Sequence, residues 1–318
     1  MVNYDSSTKA TVLRILRGST APVSGEDLAL QAGVSRVAVW KSVRALQEAG
    51  YGIRSSKKGY VLADDCTDSL YPWEFGADER LFTHFAQTAS TMTEAHRIAE
   101  CAAAEQRPQV VTADAQTDGR GQENRSWTTT EGSLAFTLIN RTPLQEAAAH
   151  RITMAAQVAL ADVLAAATGR KFFVRWPNDV WTENGKVAGI LSEVSAIGNR
   201  CRWINEGIGV NMTRCPDTGT SDCAFPDGKA PGRRLILERF LKEFERWEAL
   251  AGEDSAALAA AWNARCPDVG REVRLVQEKQ MQTFSGINGW GWASFSSSGG
   301  MTAFPPGAVS FIKGISKN

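Results

Sequence analysis

The chain has 318 residues, enough for two or three domains that each bury a hydrophobic core. Its hydrophobic fraction of 43% and charged fraction of 22% are typical of a soluble globular protein. No apolar run approaches the roughly 20 residues that cross a bilayer, and the first residues form no signal peptide. The six cysteines show no Cys-x-x-Cys pair, which predicts reduced thiols in the cytoplasm and no structural zinc.

The net charge is zero, but the charges are unevenly distributed. Residues 1–62 contain nine basic and four acidic side chains, so this segment carries +5 and the remainder carries −5. A basic end on an otherwise acidic chain is typical of proteins that bind nucleic acid.

Residues 1–63 are predicted to form a winged helix-turn-helix domain. A helix over 8–17 is followed by a helix that Ser24 caps, a glycine turn, and a helix over 36–49. The segment 51–62 is then a hairpin with a basic tip, a wing that lies along phosphates. A winged helix that binds protein, or one that has lost its affinity for DNA, is the alternative. The candidate DNA-binding residues are Ser35, Arg36, Trp40, Lys41, Arg44, Lys57 and Lys58.

An acidic stretch over 64–68 is a candidate linker to a central domain that runs to about residue 265. A strand near 82–85 precedes a helix that starts at Ser90 or Thr91 and ends near Glu105. A glycine-rich loop, 116–127, then separates a strand at 110–113 from a strand at 133–138. Its two glycines flank Arg120, and exposed backbone amides beside a guanidinium suit a carboxylate or phosphate. A solvated surface loop is the alternative.

The next elements are a helix over 144–168, a strand over 171–175 and a tight turn at 183–185. This turn places Lys186 beside Asn178 and Asp179. The lysine is a candidate to hold phosphate oxygens while the carboxylate binds Mg²⁺. A solvated lysine after a turn is the alternative.

A strand over 207–211 has two glycines, where another backbone or a ligand comes close. An amphipathic helix over 231–250 follows, with Leu235, Phe240, Phe244 and Trp247 on its apolar side. Five short strands over 266–318 predict a small barrel. The usual phosphate loop, dinucleotide loop and nucleophile elbow are absent from the central sequence.

Five motifs in order resemble those of the bacterial bifunctional biotin protein ligases that also act as biotin operon repressors. They are Ser90–Thr91, Gln116–Gly121 with Arg125–Trp127, Arg175–Asp179, Lys186–Leu191 and Gly207–Asn211. The resemblance implies an α+β chain of three domains. These are a winged helix-turn-helix (1–63), a class II synthetase-like biotin/lipoate ligase domain with a mixed sheet (64–265), and an SH3-like β-barrel (266–318).

The resemblance also implies the chemistry: biotin and Mg-ATP give biotinyl-5′-AMP, and a lysine of the carrier domain of acetyl-CoA carboxylase then displaces AMP. Ser90, Thr91 and Gln116 would bind the biotin head group, whereas Arg120 and Lys186 would stabilise the reacting oxygens. Asp179 would be the metal ligand and a catalytic residue. The remaining binding residues implied are Met92, Gly119, Gly121, Gln122, Arg125, Trp127, Asn178, Gly189, Gly207, Gly209 and Asn211. Operator DNA and a homodimer formed on the adenylate are the further partners.

The sequence departs from this pattern at three places. Gln122, Glu123 and Asn124 replace two basic residues and a glycine, so the loop is expected to retain the adenylate less tightly. Met92 replaces an asparagine, and only its backbone contact is carried over. Asn205 and Glu206 interrupt a strand that is normally apolar.

Two further readings remain open. The central domain could sense a ligand for a transcription factor without turnover, or the ligase could carry a vestigial DNA-binding domain. A lipoate ligase shares the central fold, but it would have an Arg-Arg-x-Ser-Gly-Gly-Gly-type stretch, which is absent from this sequence.

Overall fold

A computed structural model describes residues 7–66, 68–101, 109–122, 125–253, 255–276 and 281–313. The chain divides into two compact units, with the division between His84 and Phe85. The six cysteines, which all lie in the described ranges, are thiols rather than disulfides, as the sequence predicts.

The first unit contains the predicted helix-turn-helix and wing. Its elements are α1 (Thr8–Arg17), α2 (Gly25–Ala32), α3 (Arg36–Glu48) and the antiparallel hairpin β1 (Gly52–Ser56) with β2 (Gly59–Asp64). Ser24 and Ser35 cap α2 and α3 by accepting bonds from the backbone amides of Asp27 and Ala38. Gly33 ends α2 with a φ of 66°, a left-handed conformation that favours glycine. The predicted Ser24 cap and glycine turn are therefore confirmed, and Ser35 caps α3 in the same way.

One apolar face of each helix forms the core of this unit. Val39, Val43 and Leu46 of α3 are buried, as the helical spacing predicts, against Leu13 and Leu28. The opposite face of α3 is exposed, which leaves its polar and basic side chains free for a partner.

The segment after the wing is fastened to the winged helix through Arg17. The Arg17 guanidinium donates two bonds of 2.8 Å to Asp65 and two of 2.9 Å to Glu74, and Tyr51 donates its hydroxyl to Glu74 as well. Burial opposes the charge on Arg17, but the bonds to the two carboxylates outweigh it and raise its pKa. Two 3-10 helices, Pro72–Glu74 and Gly76–Leu81, follow within the same unit. The domain boundary at residue 63 stays a prediction.

A seven-stranded sheet is the centre of the second unit, and its order is β3-β4-β5-β9-β8-β7-β6. Neighbouring strands from β4 through to β6 are all antiparallel. The strands are β3 (Phe82–Thr88), β4 (Gln109–Gln116), β5 (Leu134–Asn140), β6 (Phe173–Arg175), β7 (Asp179–Trp181), β8 (Lys186–Ile197) and β9 (Arg200–Val210).

Helices cover this sheet: α4 (Thr91–Cys101), α5 (His150–Thr168), α6 (Arg233–Glu253) and α7 (Ser255–Arg265). The predicted start of α5 at residue 144 is wrong, because a 3-10 turn, Glu146–Ala148, precedes it. Leu235 is only half-buried, and Ile236 and Leu237 take its place on the buried face of α6. The predicted extension of α4 to Glu105 lies outside the described residues.

The segment Glu146–Thr168 is long and apolar enough, by length and composition, to cross a membrane. It is the one helix of the described ranges with this property. Two-thirds of its most apolar window is buried inside the protein, and α5 contacts α6, α7 and four strands of the sheet. These contacts are those of a core helix.

The five C-terminal strands form an antiparallel sheet of order β13-β12-β11-β10-β14. They are β10 (Glu272–Leu275), β11 (Met281–Ile287), β12 (Ala293–Ser297), β13 (Gly300–Phe304) and β14 (Phe311–Lys313). Asn263 of α7 holds this sheet by accepting from the Ile287 amide at 2.8 Å and donating to its carbonyl at 3.0 Å. The five strands are as predicted, and their identity as an SH3-like barrel stays a prediction.

Candidate active site

Three polar side chains meet where α4 begins. The Oε1 atom of Gln116 accepts bonds from the Thr91 amide at 2.8 Å and from the Thr91 hydroxyl at 3.2 Å. Thr137 on β5 donates its hydroxyl to that of Thr91 at 2.8 Å, and Ser90 accepts from the Met92 amide at 3.3 Å. The structure therefore brings Gln116, at the end of β4, to Ser90 and Thr91 at the start of α4.

The glycine-rich loop folds back on itself beside this polar cluster. Gly119 accepts from the Trp127 amide, and the Gly121 amide donates to the Arg125 carbonyl, each at 2.7 Å. A Cβ atom on Gly119 would collide with the Trp127 carbonyl, so this close approach requires glycine. Glu123 and Asn124 lie outside the described residues, and the predicted effect of this part of the loop on adenylate retention stays a prediction.

The two cations expected to act on the ligand each have a carboxylate partner. The Arg120 guanidinium lies 3.1 Å from Glu193, and the Lys186 ammonium lies 2.7 Å from Asp179. The Arg120 side chain is 42% exposed and that of Lys186 is 32% exposed. The carboxylates position both cations while leaving them accessible to an anionic ligand.

The glycines of β8 and β9 allow side chains to lie flat on the sheet. A Cβ atom on Gly207 would come within 2.6 Å of the Met92 sulfur, and one on Gly209 would collide with the Trp127 indole. A Cβ atom on Gly189 would lie 3.0 Å from the Lys186 Nζ atom. The sequence predicts that another backbone or a ligand comes close to the strand over 207–211, whereas the nearest groups to its two glycines are the side chains of Met92 and Trp127.

Two adjoining cavities contain these groups. The inner cavity, of about 270 Å³, is lined by Ser90, Thr91, Gln116, Trp127, Lys186 and Gly207 among others. The outer cavity, of about 850 Å³, is lined by Gly119, His150, Thr153, Ser192 and Pro306 among others. They share nine lining residues, among them Arg120, Gly121, Gln122, Arg125 and Asn178, so the two cavities are adjacent within the second unit.

Of the described residues predicted to bind biotin or the nucleotide, only Asn211 lines neither cavity. Its amide donates to the Asp222 carbonyl at 3.1 Å, whereas its buried Oδ1 atom has no hydrogen-bond partner among the described residues. The indole Nε1 of Trp127 is likewise buried and unpartnered within the described ranges. Trp127 lines the inner cavity, so an acceptor atom of a ligand bound there would satisfy its indole.

The Asn178–Asp179 turn is held from both sides. The Asn178 amide donates to the Ile190 carbonyl at 2.5 Å, and Gln157 of α5 donates to the carbonyls of Arg175 and Asp179, each at 3.0 Å. Gln157 is fully buried and also accepts from the Trp262 indole at 2.8 Å. Sequence reasoning missed Gln157, because an isolated glutamine in an alanine-rich helix carries no signal of its own.

The metal expectation rests on Asp179 alone. Within the described parts of the chain, no group of three His, Cys, Asp or Glu side chains is placed to hold a metal ion. A single carboxylate fits Mg²⁺ when the nucleotide phosphates and water supply the other oxygens. The donor set therefore suits a Mg²⁺ ion that arrives with its nucleotide.

A buried polar cluster lies at the floor of the outer cavity. Thr153 of α5 and Ser192 of β8 both line the cavity, and they donate their hydroxyls to the Oε1 atom of Glu206 at 3.0 and 2.9 Å. Glu206 is fully buried, and burial raises its pKa to about 7, although the two hydroxyl bonds oppose the shift. Thr153 and Ser192 are the partners that explain an acid in this strand.

Asn205, the neighbour of Glu206, is also fully buried on β9. Neither polar atom of its side chain has a hydrogen-bond partner among the described residues. We have no physical account of this side chain.

Comparison with known proteins agrees with the two-unit architecture. Residues 85–211 match the Biotin/lipoate A/B protein ligase family, and residues 8–61 match a helix-turn-helix domain. The bifunctional ligase/repressor BirA of Bacillus spizizenii is 29% identical over 267 residues, which are 79% of this chain and 82% of that protein.

The biotin–[acetyl-CoA-carboxylase] ligase of Paracoccus denitrificans is 33% identical over 210 residues, 61% of this chain and 86% of that protein. A solved structure, the biotin protein ligase of Aquifex aeolicus in complex with biotin and ATP, superposes with a TM-score of 0.61. It is 23% identical and covers 73% of this chain and 99% of that one, a likeness in fold. By this sequence likeness, the chain belongs to the biotin protein ligase family.

Proposed function

We propose that this protein is an ATP-dependent biotin protein ligase that also represses transcription from operator DNA. One observation carries the ligase proposal: of two adjoining cavities, the inner one has a hydrogen-bonding cluster and is lined by two accessible cations, of which Arg120 also lines the outer cavity. A small polar head group fits the first feature, and an anionic tail joined to phosphate fits the second.

Ser90, Thr91 and Gln116 bind the biotin head group in this proposal. The side chains of Thr91 and Gln116 are already hydrogen-bonded to each other, and that of Ser90 accepts from the Met92 amide, so little conformational entropy is lost when biotin replaces some of those bonds. The side chains of Met92 and Trp127 pack against Gly207 and Gly209 of β9 and line the inner cavity. They supply apolar walls for the rings and the chain of biotin.

Arg120, the amides of its loop and Lys186 then stabilise the first reaction. The biotin carboxylate attacks the α-phosphorus of ATP, a new C–O–P linkage forms, and pyrophosphate leaves. Negative charge grows on the phosphoryl oxygens, where preorganised cations are most effective. Mg²⁺, bound by Asp179 and the phosphates, would neutralise further phosphate charge when present.

In the second reaction an unprotonated lysine amine of the carrier domain attacks the acyl carbon of biotinyl-5′-AMP. An amide bond forms as the amine loses one proton to water, the mixed anhydride C–O bond breaks, and AMP leaves with its phosphate charge facing Arg120 and Lys186. The substrates supply the nucleophiles in both steps. The protein therefore contributes orientation and charge stabilisation rather than a covalent intermediate.

The winged helix is the operator-binding part of this proposal. The exposed cations Arg36, Lys41 and Arg44 on α3 and Lys57 and Lys58 on the wing suit phosphate contacts. The relative from Bacillus spizizenii is named a bifunctional ligase/repressor, and residues 8–61 of this chain match a helix-turn-helix domain. We propose that biotinyl-5′-AMP acts as corepressor by promoting a homodimer on the operator.

The ligase proposal is tested with purified protein, biotin, Mg-ATP and an apo carrier domain of acetyl-CoA carboxylase. We expect the carrier to gain the mass of one biotinyl group, and a carrier with its acceptor lysine replaced by arginine to gain none. Absence of any gain on the intact carrier would end the ligase proposal. It would leave the central domain as a ligand sensor that acts without turnover.

A further inference from the structure

The exposed face of α3 carries an apolar pair that the fold of the unit does not use. Val37 is 61% exposed and Trp40 is 53% exposed, one helical turn apart. Burying these two groups would be favourable, yet the core of the unit is built from the opposite face, through Val39, Val43 and Leu46. Single exposed apolar residues are common, but a valine and a tryptophan at this spacing form one surface.

Cations surround this pair. Arg36 lies four residues before Trp40 and Lys41 four after Val37, so each is a neighbour on the helix surface, and the Arg44 guanidinium lies 5.8 Å from the centre of the Trp40 ring. A positively charged rim around an apolar centre complements a polyanion that exposes a small apolar group between its charges. It does not complement the neutral apolar surface of a typical protein interface.

The major groove of DNA offers such a group. The thymine C5 methyl is the apolar feature among the base edges in that groove, and phosphates line both rims. In a helix-turn-helix protein, the N-terminal residues of the second helix face the base edges. Val37 and Trp40 occupy the first two turns of the corresponding helix, α3.

We infer that Val37 and Trp40 read thymine methyl groups in the major groove of the operator, while the surrounding cations bind its phosphates. This inference rests on the proposed DNA binding and states which feature of the base sequence the protein prefers. Each half-site then contains at least one thymine whose methyl contacts α3, and the preference at that position is apolar rather than hydrogen-bonded.

The test begins with selection from a pool of random-sequence duplexes by the full-length protein, with biotin and Mg-ATP present. In the duplex that binds most tightly, each thymine is replaced in turn by deoxyuridine, which removes only the C5 methyl. For the wild type, we expect one or two of these replacements to weaken binding about fourfold, the factor given by burial of one methyl. The remaining replacements should have little effect.

Val37→Ala and Trp40→Ala identify the residues that sense the methyl. Each variant should bind the thymine duplex more weakly than the wild type does. At the base that the replaced side chain contacts, the ratio of the affinity for the thymine duplex to that for the deoxyuridine duplex should fall towards one. Lys57→Ala on the wing is the matched control, because it removes a phosphate contact and should weaken both duplexes equally. Val37 and Trp40 are both exposed, so neither alanine replacement removes core packing. A thermal melt of each variant checks that it is folded.

Two outcomes overturn the inference without touching the proposed function. One is an enriched duplex whose affinity does not change with any deoxyuridine. The other is a thymine preference that both alanine variants keep in full, which would mean that Val37 and Trp40 do not contact the thymine methyl and instead bind a protein partner. Failure to enrich any duplex would instead end the proposed DNA binding, and the inference with it.

Discussion

The Lys186 ammonium lies 2.7 Å from the Asp179 carboxylate, across the tight turn that joins β7 to β8. A register shift between Val180 and Trp181 places the two side chains together at the inner cavity. Gln157 holds the backbone of Asp179 from the other side. The cation is therefore fixed by protein groups before an anionic ligand arrives, which is the arrangement that preorganised charge stabilisation requires.

Replacement of Lys186 by methionine should separate chemistry from binding. We expect adenylate formation, measured as pyrophosphate release, to fall by roughly 100- to 1,000-fold, the range found when one stabilising donor is lost. Calorimetry should show biotin affinity within about threefold of the wild type, because the head group binds elsewhere. Lys171→Met, at an exposed position near the start of β6, is the matched control. A Lys186→Met enzyme as fast as this control would refute the role of the lysine.

Gly207→Ala should obstruct the inner cavity, which Gly207 lines. The added methyl would come within 2.6 Å of the Cγ and Sδ atoms of Met92, so the methionine must move into the space beside Thr91. We expect biotin affinity, measured by calorimetry, to fall at least about tenfold. Gly252→Ala is the control, since no heavy atom lies within 4 Å of the added methyl.

A second replacement tests whether this loss is steric. Met92→Ala in the Gly207→Ala background removes the colliding atoms, and it should restore most of the biotin affinity. The single variant Met92→Ala should weaken binding only slightly. If the double variant binds no better than Gly207→Ala, the collision with Met92 is not the cause of the loss.

Local patterns predicted the elements whose ends are set by neighbouring residues. Ser24, Ser35 and Gly33 define α2 and α3 through caps and a left-handed turn, and these rules act within four residues. The wing and the turn before Lys186 follow from the same local chemistry. By contrast, α7 was missed, because its alanine-rich sequence has little amphipathic pattern and its position depends on Trp262 packing in the distant core.

The candidate site was predicted less by pattern than by resemblance. Spacing cannot show that Arg120 reaches Glu193, or that Gln116 accepts from Thr91, because tertiary structure alone brings these pairs together. Glu206 was visible as an anomaly in an apolar strand. Its partner Thr153 is 53 residues away in the chain, so no local rule could supply the hydrogen bond.

Glu206 should make stability depend on pH in an unusual direction. Its pKa is raised to about 7 in the folded state, from about 4.5 in the unfolded chain, so the folded state binds the proton more tightly between these values. This contribution is greatest below pH 4.5 and is lost as pH rises to about 7. The full shift corresponds to about 3 kcal/mol, as an upper limit.

Glu206→Gln isolates this effect. The amide can still accept from Thr153 and Ser192 but has no proton to lose. We expect urea denaturation at several pH values to show that the free energy of unfolding of the variant increases relative to that of the wild type as pH rises from 5 to 8. Glu253→Gln, at an exposed position at the end of α6, is the control and should run parallel to the wild type. Parallel curves for Glu206→Gln as well would mean that Glu206 titrates normally.

The contact between Arg17 and Glu74 predicts that the segment after the wing stabilises the winged helix. The Glu74 side chain has no exposed area, whereas that of Arg17 is 30% exposed and keeps Asp65 as a second partner. Glu74→Ala removes the acceptor of the Tyr51 hydroxyl, which still accepts from the Trp73 indole, and removes one of the two carboxylate partners of the guanidinium. We therefore expect a loss of about 2 kcal/mol, below the usual cost of breaking a fully buried pair.

Hydrogen exchange followed by mass spectrometry locates this loss. In Glu74→Ala, amides of α1 and α3 should exchange faster by a factor that matches the lost stability, while those of α5 keep the wild-type rate. Glu48→Ala is the matched control, because its pair with Arg44 is 3.6 Å long and largely exposed, and such pairs contribute at most about 1 kcal/mol. Equal protection of α1 in both variants would show that the segment over 65–74 is a passive connection, and that the winged helix folds without it.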